Sequence, residues 1–209
     1  MSRKCCPLSF TREFEHSQAL FDAAIDEFVA HTYELASLNT ILEKAGMSKG
    51  QFYYHFKHKE GLYLALIEVM IAQKRAFLAQ VMGPADLQQD IFTIFQRQIQ
   101  HGLAFAKAYP ALQRFSESFM QERGKPIYTK ALTHYNLAND EAIQGLVARA
   151  YSNGELRTDL PLVFMQKVIG YLFTHVVDLV ELSQMAEAEA NLQHLLTFMK
   201  FGLARRHES

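Results

Sequence analysis

The window from residue 44 to residue 59 holds Lys44, Lys49, Lys57 and Lys59 and no carboxylate, although residues 1–61 as a whole carry seven Lys and Arg against eight Asp and Glu. Positive charge is thus focused on one short stretch of a chain whose formal net charge is −1. Interleaved with the lysines stand Gln51, Tyr53, Tyr54 and His55. That set suits a polyanion of stacked bases. Lysine releases counterions from phosphate, tyrosine and histidine add hydrogen bonds, glutamine pairs bidentately with adenine, and a tyrosine ring stacks or touches a thymine methyl. Gly50 lets backbone approach closely. The competing reading is a solvated lysine-rich turn with Tyr53 and Phe56 in the core; the focused charge and the helix pattern together favour DNA.

Other spacings lead less far. His175-x-x-Asp178 puts two metal-ligand types on one helix face, but one pair is too few for a site. A helical di-metal centre wants two Glu-x-x-His units and two further glutamates, and that spacing occurs here only from Glu13 to His16. There is no Gly-rich phosphate loop, nucleophile elbow or Cys–His arrangement. Adjacent Cys5 and Cys6 give no disulfide framework, and only Arg3 and Lys4 stand near to lower a thiol pKa, so a tail is favoured over a redox switch. We therefore expect no catalytic residue, metal or cofactor. An all-helical metal-binding enzyme remains the alternative class, and a scaffold protein would have no reason to concentrate lysines around two capped short helices. The longest apolar stretch, residues 168–177, contains His175 and falls short of the roughly 20 residues that span a bilayer. With no apolar export signal after Arg3 and Lys4, a cytoplasmic protein with no membrane partner is expected.

The elements that must position these residues are helical. Leu20, Phe21, Ala24, Ile25, Phe28 and Val29 repeat at three and four, which predicts helix one. Ser37 caps a second helix over 38–45 that ends at Gly46, and Ser48 caps a third of about seven residues with Phe52 and Phe56 on one face. A long helix over 60–82, about 30 Å at ~1.5 Å per residue, runs to Gly83-Pro84. Five further segments read 86–107, 110–121, 126–152, 160–183 and 188–205, punctuated by Pro110, Asn153-Gly154 and Pro161. The expectation is an all-α chain of about nine helices, with a helix-turn-helix whose second member lies in the major groove.

The run "ILEKAGMSKGQFYYHFKHKEGLYLAL" resembles the DNA-binding signature of the TetR family of transcriptional regulators, strongly over residues 14–70. "GELRTDLP" at 154–161, leading into two amphipathic helices, resembles the family less specifically. Carried over by position, the resemblance implies groove and phosphate contacts from Ser48, Lys49, Gly50, Gln51, Tyr53, Tyr54, His55 and Lys59, with Ser37 and Asn39 approaching from helix two. It implies an N-terminal DNA-binding domain over 1–61, the helix 60–82 as connector, and a ligand-binding and dimerisation domain over 62–209. Three residues depart from the pattern: Thr32 where glycine usually ends helix one, Leu42 where alanine is usual, and Gln51 where threonine is common. A β-branched Thr32 would be strained at positive φ.

One short recognition helix makes few base contacts, so a homodimer on a palindromic operator is expected, with half-sites about 34 Å apart or a related spacing. Candidate interface residues are Phe164, Val168, Leu172, His175, Val176 and Leu179 on one C-terminal helix, and Leu192, Leu195, Leu196 and Met199 on the next. The alternative is that these stripes only complete the subunit's own core. The middle helices are aromatic, and the resemblance implies a small-molecule effector pocket there, for which Phe95, Phe119, Tyr128 and Tyr135 are lining candidates; aromatics at helical spacing are more often core. The expected function is a one-component regulator, a repressor by the family's usual behaviour, with an activator of the same fold as the alternative.

Overall fold

The computed structural model describes residues 10, 14–83, 86, 88–137, 141–174, 176 and 185–204. Cys5, Cys6, Glu13, His175, Asp178 and Leu179 lie outside them. The described residues form ten helices and no strand: α1 (Ser17–Ala30), α2 (Leu38–Ala45), α3 (Lys49–Phe56), α4 (Lys59–Val81), α5 (Ile91–Ala108), α6 (Pro110–Gln121), α7 (Pro126–His134), α8 (Glu141–Ser152), α9 (Leu162–Thr174) and α10 (Met185–Leu203). The fold is all-α with an N-terminal helix-turn-helix followed by a helical C-terminal domain.

Most boundaries follow local chemistry. Pro110 and Pro126 open α6 and α7 from within the first turn, where a missing N–H costs nothing. Two expected boundaries were wrong. The segment 126–152 is two helices, because Asn136 takes a left-handed φ of 50° after α7. The helix expected from 86 starts at Ile91, because the Asp90 carboxylate accepts from the N–H groups of Phe92 and Thr93, both at 3.1 Å. The strain expected at Thr32 does not arise: α1 ends in extended backbone at His31, with φ −136° and ψ 151°, and Thr32 is not among the residues at positive φ.

The chain packs as two compact units, residues 1–77 with 108–137, and 78–107 with 138–209, a division that falls elsewhere than the boundary expected at residue 61. In the first, α1 packs on α2 and on α6. Its apolar stripe buries Leu20, Phe21, Ile25 and Phe28, and Ile41, Phe52, Leu62 and Phe115 of the same unit are buried as well, each large side chain contributing about 1.5–3 kcal/mol. Ser118 donates to the Phe28 carbonyl at 2.6 Å, and Tyr63 of α4 stands edge-on to Phe28 and to Phe115, at 4.8 and 5.5 Å. Those contacts lock α4 and α6 onto the helix that supports α2 and α3.

In the second unit Ile91, Phe95, Val147, Leu156, Met165 and Ile169 form the core with Leu196, Met199 and Leu203. The 154–161 run is its hub. Gly154 ends α8 at φ 74°, the Glu155 carboxylate accepts the Ile91 N–H at 2.7 Å, and Arg157 donates from its backbone to the Leu203 carbonyl at 2.9 Å and from its guanidinium to that of Gly202 at 3.2 Å. The expected interface residues divide. Leu192, Leu196 and Met199 face the subunit's own core, and Leu172, Val176 and Leu195 pack partly against it. Phe164 is 50 % exposed, Val168 half-buried. Exposed beside them are residues that the sequence reading did not select: Val163 and Tyr171 on α9, Phe198 and Phe201 on α10.

Candidate nucleic-acid interface

α2 and α3 are held apart and capped by residues whose types the local backbone demands. The Ser37 hydroxyl accepts the Thr40 N–H at 3.3 Å, leaving Asn39 exposed in the first turn. Gly46 ends α2 with φ 64°; its N–H donates to Glu43 and that of Met47 to Leu42, at 3.1 and 3.0 Å. Met47 and Leu42 are both buried, the apolar contact that accompanies this helix stop. A side chain other than glycine would be strained at that φ.

α3 opens with a reciprocal cap. The Gln51 N–H donates to the Ser48 hydroxyl at 3.3 Å, while the Gln51 side-chain oxygen accepts the Ser48 N–H at 3.0 Å and its hydroxyl at 2.9 Å. That geometry uses both lone pairs of the Gln51 oxygen. The bidentate adenine contact expected from the residue type therefore requires the box to open; with it closed, only the amide's N–H groups are left to read a base. Phe52 is fully buried and stacks on Phe56 at 5.6 Å, anchoring α3 from below. The opposite side presents Lys49, Gly50, Tyr53, Tyr54 and His55 to solvent, Tyr54 at 83 % and Tyr53 at 51 % exposure. Core burial does not account for tyrosine rings that open.

The lysines do not behave alike. Lys49 and Lys57 are exposed and carry no ion pair among the described residues. Lys44 sits 3.8 Å from the Glu27 carboxylate, which is buried on α1 and also accepts the Ser37 N–H at 2.9 Å. Lys59 donates to the carbonyls of Glu34 and Ala36, at 3.1 and 2.9 Å, and lies 4.9 Å from the centre of the Tyr33 ring. Burial holds its ammonium below the usual lysine value, with Glu34 pulling the other way. Lys59 thus ties the first turn of α4 to the loop before α2, a duty beyond the phosphate contact expected of it.

That loop is fastened from a third side. Glu122, 1 % exposed just beyond α6, accepts the Tyr33 N–H at 2.7 Å and pairs with Lys125 at 2.8 Å. Next to it the Tyr63 phenol, buried without a hydrogen-bond partner among the described residues, is pushed above the usual tyrosine value by burial, by Glu122 and by Tyr33. Glu27 and Glu122 are not legible in the sequence as anchors of this loop, because the loop groups they hold, the Ser37 and Tyr33 N–H, are backbone.

Between α3 and α4 the chain turns in three residues. The His58 N–H donates to the Phe56 carbonyl at 2.6 Å across Lys57, which adopts φ 61° and ψ −41°, the strained form of a γ-turn. His58 then accepts the Gly61 N–H on Nδ1 at 3.0 Å. A Cβ on Gly61 would run into the Phe56 carbonyl oxygen. The turn fixes how α3 leaves α4, and only glycine fits beneath it.

The four expected effector contacts are packed. Phe95 is fully buried in the second unit. In the first, Phe119 stacks on Tyr128 at 4.9 Å, and the Tyr135 hydroxyl donates to the Leu64 carbonyl at 2.7 Å. A cleft of about 270 Å³ is lined instead by Tyr33, Glu34, Glu60, Pro126, Ile127 and Lys130, below the volumes usual for drug-sized ligands. Among the described residues no three His, Cys, Asp or Glu side chains gather as a metal site, and no helix is long and apolar enough to cross a membrane.

Comparison with known proteins agrees with this geometry. Residues 20–66 match the family model described as bacterial regulatory proteins, tetR family. The HTH-type transcriptional repressor AcnR of Corynebacterium glutamicum is 27 % identical over 146 residues, 69 % of this chain and 71 % of that protein; its counterpart in Corynebacterium efficiens is 28 % identical over the same shares. The crystal structure of a TetR family transcriptional regulator from Chloroflexus aurantiacus superposes with a TM-score of 0.72 at 26 % identity, covering 94 % of this chain and 96 % of that one.

Proposed function

The chain belongs to the TetR family of transcriptional regulators, and from that premise we propose that it is a repressor: a homodimer that holds a palindromic operator through α2 and α3 and releases it when a small effector binds. The repressor names of the corynebacterial relatives support the direction. The observation that carries DNA reading is the outer face of α3, where Tyr53 and Tyr54 stand exposed beside Lys49 on a helix capped at Ser48 and anchored by Phe52. Lys49 and the helix N-termini at Ser37 and Ser48 meet phosphate, while Tyr53, Tyr54, His55 and Gln51 face base edges or sugar. Gly50 permits the approach, and Asn39 and Lys59 flank it. Residues 1–61 serve as the reading head and 62–209 as the regulatory part.

For the dimer we assign the exposed apolar residues of α9 and α10, Phe164, Tyr171, Phe198 and Phe201, with half-buried Val168 beside them, rather than the leucines turned into the core. Side chains of that size left in water on adjoining helices suit a two-fold partner. Effector release follows from population shift: a ligand that binds the arrangement unable to span two half-sites weakens DNA binding by the same coupling. Phe119, Tyr128 and Tyr135 of the first unit stand as its proposed contacts, reached by loosening their present packing, whereas Phe95, expected beside them, is enclosed in the core of the second unit. No cofactor is required, and the cytoplasm is the compartment in which the operator is met.

Selection of bound sequences from a random duplex pool tests the proposal, with the winner titrated at two salt concentrations and the complex mass determined. A palindromic winner bound by a dimer at least about 10³-fold over random DNA is expected. Enrichment of no sequence by a protein free of bound ligand would refute it.

A further inference from the structure

α3 is braced by rings from outside the helix-turn-helix. The His55 ring lies almost flat on Phe14, with centroids 4.1 Å apart and planes 21° off parallel. Its edge meets Tyr54 at 5.0 Å and 86°. Phe14 is held in turn by Phe56 at 5.8 Å and by Phe10 at 6.0 Å, and Phe10, 5 % exposed, wedges against Phe21 of α1 and Phe56 of α3 at 5.6 and 5.0 Å. The Phe14 backbone is fixed too: its carbonyl accepts the Ser17 N–H at 3.0 Å, and His16, at φ 68°, turns the chain into α1. A ladder of aromatic rings therefore runs from the core of α1 to Tyr54, 83 % exposed.

An exposed side chain that must be ordered on binding gives up rotamer freedom, and that loss is subtracted from affinity unless the side chain is held beforehand. His55 and Tyr54 are held, and the holder is Phe14. We propose that Phe14 is a positioning residue for base reading: it orients His55, and through His55 the Tyr54 ring, so that the correct sequence is met by groups already in place. Phe14 itself touches no DNA. The inference rests on the reading of α3 as the DNA-contacting helix.

The test uses the full chain with Phe14→Leu, which keeps apolar volume but no ring, and Phe14→Tyr, which keeps the ring. Three quantities are read: unfolding midpoint, affinity for the selected duplex, and affinity for a random duplex. Phe14→Leu is expected to lower the specific-to-random ratio about three- to tenfold, the range of one aromatic pair, while Phe14→Tyr restores it. In the double variant Phe14→Leu, His55→Ala the losses should be sub-additive, since both remove one stack. An unchanged ratio in Phe14→Leu, or strictly additive losses, would overturn the proposal while leaving DNA reading by α3 intact. If the unaltered protein itself does not discriminate between the two duplexes, both readings fall together. Ring-current shifts of the His55 protons, lost in Phe14→Leu and kept in Phe14→Tyr, report the stack without DNA; identical shifts in all three proteins would contradict the proposal independently.

Discussion

The Glu122 carboxylate accepts the backbone N–H of Tyr33 at 2.7 Å, across 89 positions of sequence. This contact makes the loop that launches α2 depend on a residue just beyond α6. Glu122 is buried, so removing its side chain strands the Tyr33 N–H and the partly exposed Lys125. We expect Glu122→Ala to cost about 2–3 kcal/mol in urea unfolding and Glu122→Gln, which still accepts from Tyr33, about half as much. Equal stability of all three proteins would show that the contact is dispensable.

The γ-turn at Lys57 gives two opposite expectations. Lys57→Gly removes a side chain from positive φ and should raise stability by about 1 kcal/mol. Gly61→Ala drives a methyl into the Phe56 carbonyl and should lower it by about 1–3 kcal/mol. Denaturant midpoints for the pair decide it, and shifts of the same sign would be inconsistent with this turn.

How much of this could be read in advance depends on how far each contact reaches. The caps at Ser37, Gly46 and Ser48 were legible because a helix end is satisfied by residues within three or four positions. The fastening of the 31–37 loop was not, since Glu27, Lys59 and Glu122 reach it from α1, α4 and the end of α6 and bond to backbone, which carries no sequence signal. α10 failed differently. It is apolar on two faces, with Leu192, Leu196 and Met199 inward and Phe198 and Phe201 outward, and periodicity alone does not say which stripe meets the core. Gln51 was given a role by residue type alone, and its cap to Ser48 qualifies that role.

Alkaline pH should distinguish the phenols whose ionisation the fold opposes. Burial, with help from Glu68, pushes Tyr135 up to about 12, above the usual tyrosine value of about 10. Above pH 10 the unfolded chain gives up a proton that the fold retains, so the stability that this group contributes is intact below 10 and is lost as pH rises toward 12. Tyr135→Phe should be less stable at pH 8 by about 1 kcal/mol, through the lost bond to Leu64, yet lose less between pH 10 and 12. Tyr33 and Tyr63, also raised, keep a residual decline. Parallel curves for the two proteins would argue against the assignment.

Gln51→Glu separates capping from reading. A glutamate closes the same box on Ser48, so the unfolding midpoint should hold within about 0.5 kcal/mol. The added negative charge faces phosphate, and affinity for every duplex should fall with it. Unchanged DNA binding would place Gln51 away from the interface.

The central claim is that the outer face of α3 reads DNA, and Tyr54→Ala tests it most directly because a ring that exposed can be removed without disturbing the fold. Titrations of the selected and the random duplex should show a specific loss of about 5- to 150-fold, the range of one base contact, with random binding within about twofold, whereas Lys49→Ala should weaken both duplexes alike and flatten the salt dependence. Equal losses on the two duplexes for Tyr54→Ala, or no loss at all, would contradict the account.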